Sequence, residues 1–483
     1  MAKATPRYQQ LADFIARLVT AGTLSAGERA PSLRQISRDR GVSLATALQA
    51  YRLLEDRGVL EARPQSGYFV TGQRLLPAPS RTRPPRKALA VSISGVVLQL
   101  LERAADPRLA PLGCAIPSPQ LLCASPLDRL LARIARTRGI ALNTYTAPGG
   151  DLRLRRELAR RAARWGQALT AQDVLLTCGC TEALALALQA VTRPGDTVAV
   201  ESPTYFGLLH TIEMLGLRAL ELPTDPQSGV DVGALDATLR QRSVSACLFS
   251  SSFNNPLGCT APEESKRALL RILSHRGVPL VEDDIYGDIH CGERRPRPYS
   301  ALEPEADVIY CSSFSKTLAP GYRVGWIAPG RHMPRVLERK LASTLSGCAL
   351  AQASIGEFLA SGAYESHLRR IRRVFRENLE RMNHAIHRTF PEGTRVTRPN
   401  GGFVLWLELP GAIDTRALFE QAVDSGVCFA PGDAFSASRR YGHCMRLSAG
   451  YPWSERIEGA VAEIGALACA AAGRRPQQGD LTD

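Results

Sequence analysis

From about residue 92 onward, short apolar runs recur between segments of helical character: "DVLLT", "DTVAVES", "ACLFSSS", "VPLVEDD" and "DVIYCSS". Few folds accept that alternation. Strands that alternate with helices indicate an α/β domain built on a largely parallel sheet. Several runs end in Ser, Thr, Asp or Glu, at the strand edge where parallel sheets bind ligands. No internal repeat is visible.

The first 72 residues follow a different rule. "YQQLADFIARLVTAG" places Leu11, Phe14, Ile15 and Leu18 on one helical face, with Gly22 at its end. "APSLRQISRDRG" predicts a short helix capped by Ser32 and stopped by Gly41, and "VSLATALQAYRLLEDRG" a longer one capped by Ser43 and stopped by Gly58. Short helix, tight turn and longer helix form a helix-turn-helix pattern. "LEARPQSGYFV" then alternates like two strands of a wing. Residues 73–91, "QRLLPAPSRTRPPRKALAV", hold prolines and basic residues without an acid, as a stiffened linker does. The expected domains are 1–72, the linker 73–91, and 92–475.

Charge separates the two parts. The chain carries +14 overall, and residues 1–90 hold 15 Lys/Arg against 6 Asp/Glu. A basic terminal domain points to a polyanion, double-stranded DNA first. The 12 cysteines are scattered without zinc spacing and are expected to be reduced. No run approaches the roughly 20 apolar residues of a membrane helix, and the N-terminus lacks a secretory core. A cytoplasmic protein with no membrane or metal partner is expected.

Lysine is scarce: five residues, against 55 arginines. Lys316 sits in "SSFSKTLAPGYRVGW", seven positions before Arg323. A lysine amine can lose its proton and attack a carbonyl, which a guanidinium cannot do. Four other stretches suit a phosphorylated aromatic aldehyde. "LLTCGCTEALALAL" offers the backbone N–H groups of Gly179, Cys180 and Thr181 at a helix start, where phosphate binds. "ESPTYFG" puts Tyr205 after a strand, as a stacking ring or a core aromatic. "SFNNPLG" places Asn255 for a ring hydroxyl, or in an ordinary Asn-Pro turn. "VEDDIYGD" offers Asp283 for a pyridine nitrogen and Tyr286 for the ring oxygen.

Taken together, these stretches resemble the fold-type I, class I/II aminotransferases, which bind pyridoxal 5′-phosphate (PLP). The resemblance runs from about residue 110 to 470. It implies that Lys316 of "SFSK" is the Schiff-base lysine and that Ser313 and Arg323 hold the phosphate. It gives Asp283 the pyridine nitrogen, Asn255 and Tyr286 the ring oxygen, and Tyr205 the ring face. "NTYTAPGG" resembles the segment whose tyrosine, here Tyr145, reaches the neighbouring subunit's phosphate. "CMRLSAG" resembles the motif whose arginine, here Arg446, clamps a substrate carboxylate.

Residues 7–71 resemble the winged helix of the GntR regulators. Ser32, Arg34, Ser43 and Thr46 are then expected at the DNA, and Gly67 at the tip of the wing. Leu44 and Ala45 depart from the Arg and Thr common in that family, which leaves the base contacts open. The fusion is the layout of the MocR regulators. It implies a winged helix-turn-helix joined by a linker to a PLP-dependent transferase fold, with a large mostly parallel domain and a small α+β domain. It further implies a head-to-tail homodimer whose DNA binding responds to PLP, an amine or an amino acid. The alternative is an active aminotransferase with an appended DNA-binding domain.

Overall fold

The computed structural model describes residues 6–20, 23–25, 27–56, 59–63, 66–71, 76–85, 87–122, 124–139, 143–411 and 413–473. Gly22 and Gly58, expected to end two helices, lie outside them. The first unit contains α1 (Arg7–Thr20), α2 (Leu33–Arg40), α3 (Leu44–Asp56), β1 (Leu60–Arg63) and β2 (Gly67–Val70). Leu11, Ile15, Ile36, Tyr51, Leu54 and Val70 form its own small core. Ser32 caps α2 by accepting from Gln35 N at 3.2 Å, and Gly41 ends it in the left-handed region. Ser43 accepts from Thr46 N at 3.1 Å at the start of α3. β1 and β2 pair antiparallel as the wing. Gly67 has φ +97°, and a Cβ there would meet the Arg29 guanidinium at 3.4 Å, so the position favours glycine.

The second unit carries the long sheet. Its strands are β3 (Leu89–Ala90), β4 (Ala110–Pro111), β5 (Leu175–Thr177), β6 (Thr197–Ser202), β7 (Arg218–Asp225), β8 (Gly229–Val230), β9 (Ala246–Ser250), β10 (Leu280–Asp283), β11 (Val308–Ser313) and β12 (Gly325–Ala328). The main sheet runs β3-β7-β6-β9-β10-β11-β12-β5, with β8 beside β7. From β7 to β11 every neighbouring pair is parallel, whereas β12 is antiparallel to both its neighbours. These strands are almost wholly buried, as a sheet covered on both faces requires.

A smaller antiparallel sheet follows, from β13 (Arg395–Val396), β14 (Val404–Glu408), β16 (Ala430–Pro431) and β17 (Cys444–Ser448). β15 (Val427–Cys428) pairs separately with β4. Arg446 lies in the middle of this small sheet, opposite Trp406 on one side and Ala430 on the other.

The linker is seated on the second unit rather than spanning free solvent. Val396 N donates to Pro77 O at 3.0 Å, and Ser80 N to Glu408 Oε2 at 2.6 Å. Both partners belong to the small sheet. Thr82 is buried and donates to Ser202 O at 2.7 Å, while Thr224 N donates to Thr82 Oγ1 at 2.8 Å. Those partners belong to the large sheet. The linker ends as β3, an edge strand antiparallel to β7.

Candidate functional site

The parallel strands end together. Register places Asp283 beside Ser250 on one side and Cys311 on the other. Just past these ends a cavity of about 200 Å³ is lined by Lys316, Asp283, Arg446, Tyr205, Asn255, Tyr286, Arg323, Cys180 and Thr181. Nine residues singled out in distant stretches of sequence therefore share one wall.

Lys316 lies on the turn after β11, and its Nζ donates to Ala115 O at 2.7 Å. Burial is the main cause that lowers its ammonium to about 8, with the Arg446 charge adding to the effect and Asp283 opposing it. At pH 7 roughly a tenth of this amine is unprotonated, far more than for an ordinary lysine. Asp283 is buried, and burial raises its carboxyl to about 6 against the hydrogen bond it accepts from Ile285 N. Cys180 Sγ lies 3.6 Å from its Oδ1. A carboxylate held this way gains from a cationic N–H partner. Burial also raises the Tyr205 phenol to about 12 and lifts that of Tyr286 further.

At the other end of the cavity the chain turns from β5 into the helix Cys180–Val191. Gly179 has φ +88°, and a Cβ on it would stand 2.5 Å from Nη2 of Arg323. A Cβ on Gly325 would likewise stand 2.5 Å from the Gly179 carbonyl carbon. Glycine at both positions lets the guanidinium close on the helix N-terminus, where Arg323 Nη2 donates to Cys178 O at 3.1 Å. Free backbone N–H groups and an arginine make an anion cradle. Behind it, Glu182 accepts from Cys178 N and pairs with the buried Lys340 at 3.4 Å, which fixes the turn.

Arg446 is fully buried. Its Nη1 donates to Asn255 Oδ1 at 3.1 Å, its Nη2 to Gly113 O, and its Nε has no hydrogen-bond partner. A buried guanidinium with an unused N–H suits an incoming carboxylate.

Three expected residues stand apart. Ser313 is buried off the cavity wall, and its Oγ accepts from Ser315 N at 3.3 Å, while Ser315 lines the cavity. Gly179 lies under the cradle without lining it. Tyr145 is 82% exposed. In the first unit, Ser32, Arg34, Ser43 and Gly67 are exposed and Thr46 is half-buried. Sequence reasoning missed Ser315, although "SFSK" holds two serines and β11 ends at the first. It also missed Gly113 and Ala115, which contribute only backbone carbonyls.

The donor set suits a phosphorylated pyridine aldehyde: an anion cradle, an amine of lowered basicity, a buried carboxylate and a carboxylate-ready arginine. Sheet and site together define an aminotransferase-type α/β domain behind a winged helix. Residues 122–464 match the family "Aminotransferase class I and II", and residues 7–70 match "Bacterial regulatory proteins, gntR family". The chain belongs to the class I and II aminotransferase family and carries a GntR-type helix-turn-helix domain ahead of it.

Two Escherichia coli proteins, the uncharacterized HTH-type transcriptional regulators YdcR and YjiR, are each 36% identical, over 95% of this chain and 98% of theirs. The 2-aminoadipate transaminase of Thermus thermophilus is 32% identical over 74% of this chain and 89% of its own. Among solved structures, LysN, the α-aminoadipate aminotransferase of Thermus thermophilus complexed with N-(5′-phosphopyridoxyl)-L-leucine, superposes with TM-score 0.74. It is 30% identical, over 80% of this chain and 96% of LysN. Among the described residues, no helix is long and apolar enough to cross a membrane.

Proposed function

We propose that this chain is a transcriptional regulator of the MocR kind. It binds DNA through its winged helix and senses PLP or an amino compound through the aminotransferase-type cavity. The observation that carries the reading is the union, in one chain, of a separate basic helix-turn-helix unit and a cavity holding Lys316, Asp283 and Arg446. Regulators similar over both parts support it.

PLP is the cofactor that family membership implies. The N–H groups at 179–181, Arg323 and Ser313, with Ser315 beside it, would hold its phosphate, Asp283 its ring nitrogen, Asn255 and Tyr286 its ring oxygen, and Tyr205 its ring face. Bound there, the cofactor supplies an electrophilic carbon and an electron-withdrawing ring. Lys316 Nζ would serve as the nucleophile toward the cofactor and as a proton-accepting base. Asp283 would keep the ring nitrogen protonated by its own negative charge. Arg446 orients a carboxylate by a two-pronged hydrogen bond, trading Gly113 O for the ligand. In this reading the protein is a head-to-tail homodimer. The exposed Tyr145 supports that, because a tyrosine serving the neighbour's phosphate stands outside its own subunit.

Footprinting of the gene's own upstream region with and without PLP tests the proposal. Protection that changes with PLP supports a sensor, and no protection under either condition refutes it. The second reading, a working aminotransferase with an added DNA-binding unit, is favoured by the full set of reactive groups around Lys316. Transfer of an amino group to the bound cofactor, sustained over many turnovers when a keto acid is supplied, would support it.

A further inference from the structure

We infer that the cavity selects α-amino acids with an apolar, uncharged side chain. The inference rests on the reading that Lys316 carries the cofactor and Arg446 clamps the α-carboxylate. Its basis is the pattern of charge around the wall. Among the described residues, the charged groups lining the cavity are Asp283, Lys316, Arg323 and Arg446. On that reading Asp283 and Arg323 would serve the two ends of the cofactor, Lys316 its reactive carbon, and Arg446 the α-carboxylate. Within one chain, none of these lining groups remains to pair a second carboxylate or a side-chain ammonium.

What does remain is uncharged: an apolar stretch interrupted by Cys114, Thr211 and Ser250. Leu101 and Ile116 line the cavity yet stay 46% and 41% exposed, so they form its mouth. Leu184, Phe206, Leu208 and Ile285 continue the apolar wall inward. Leu101 belongs to the helix Ser94–Ala105, which presents Leu98 to solvent as well. An apolar substrate side chain lying over Leu101 and Ile116 would take their surface out of water, which is favourable in proportion to the area covered. A carboxylate or ammonium in the same place would lose hydration without gaining an ion pair. The physical preference is therefore two-sided: a gain for leucine-like side chains and a cost for aspartate-like or lysine-like ones.

The full-length protein loaded with PLP tests this. It is titrated with leucine, methionine, phenylalanine, aspartate, glutamate and lysine, each followed by calorimetry and by the visible band of the bound cofactor. The three apolar amino acids are expected to bind at least about tenfold more tightly than the three charged ones, the discrimination one or two apolar groups provide. Leu101→Arg changes a partly exposed side chain and should not disturb folding. It is expected to tighten glutamate binding about tenfold, by adding a cation at the mouth, and to weaken leucine binding. Equal or tighter binding of the charged amino acids by the unaltered protein overturns the inference and leaves the Arg446 reading standing. If Leu101→Arg shifts neither affinity, the side chain does not reach the mouth and the inference also falls. If none of the six binds while the cofactor is present, the Arg446 reading fails and the inference with it.

Discussion

At the residue scale, Lys266 and Lys340 are both 1% exposed, and each is held in the interior: Lys266 Nζ donates to Arg297 O at 2.8 Å, and Lys340 pairs with Glu182. Burial does not divide lysine from arginine, since Arg446 and Arg161 are buried as well and Lys87 is exposed. Scarcity alone therefore did not single out Lys316; its strand-end placement in the cavity wall did. Lys316→Ala is expected to abolish the visible band of bound cofactor and its fixation by borohydride, read by absorbance and by the mass of the peptide that contains residue 316. A variant that still fixes the cofactor covalently would place the bond elsewhere. The Asp283 carboxyl was equally legible, as an acid closing an apolar strand, and its cost is measurable. In the cofactor-free protein its folded value, about 6, lies above the ordinary 3.8. The folded state then binds more protons than the unfolded state between those values, so stability falls as pH rises through that window. Asp283→Asn should stabilise the cofactor-free protein at pH 8 by on the order of 3 kcal/mol, seen as a higher melting temperature, and the gain should vanish below about pH 4. Thermal scans at both pH values decide it, and a gain that persists at acid pH would assign the effect to packing instead.

At the scale of elements, α2, α3 and the wing were readable because caps and stops are local chemistry. The same residues that mark the helices were also assigned to DNA. Ser32 and Ser43 already accept from backbone N–H groups as caps, and Ser43 Oγ lies 2.8 Å from Thr46 Oγ1. Replacing Ser43 by alanine would cost about 1 kcal/mol of helix stability whatever it does to DNA binding. Arg34 is exposed in the first turn of α2, so it separates the two roles. Arg34→Ala is expected to weaken DNA binding across sequences and to lower the slope of log affinity against log salt by about one unit, with the cofactor spectrum unchanged. Fluorescence anisotropy at several salt concentrations reads this, and an unchanged slope would remove Arg34 from the phosphate contacts. The main sheet was legible from its apolar runs. β3, β4, β8 and β16 were not, because two-residue strands have no period to read and form only where tertiary neighbours supply a partner.

On the scale of the whole molecule, the linker's composition announced stiffness but not attachment. Its anchors are backbone groups and one carboxylate on strands some 120 to 330 positions away, such as Ser202 O, Thr224 N and O, and Glu408 Oε2, and no local pattern predicts them. Their distribution carries a mechanical consequence. Pro77 and Ser80 hold the small sheet, which contains Arg446, while Thr82 holds the ends of β6 and β7. Ser202 lies three residues before Tyr205 of the cavity. A ligand that draws Arg446 toward Lys316 must move one set of anchors relative to the other, and the strap between them leads to the winged helix. Coupling then requires only that the two arrangements differ in affinity for DNA. An effector bearing a carboxylate is expected to change operator affinity by roughly 5- to 150-fold, and Arg446→Ala to abolish that response while PLP remains bound. Replacing residues 77–85 with a Gly/Ser stretch of equal length removes the prolines and the Thr82 anchor together. It should leave DNA binding and the cofactor spectrum intact and erase the dependence of one on the other, measured by anisotropy with and without effector. A ligand response of unchanged size in that variant would reduce the linker to a tether. The path between cavity and DNA would then have to run across the surfaces of the two units themselves.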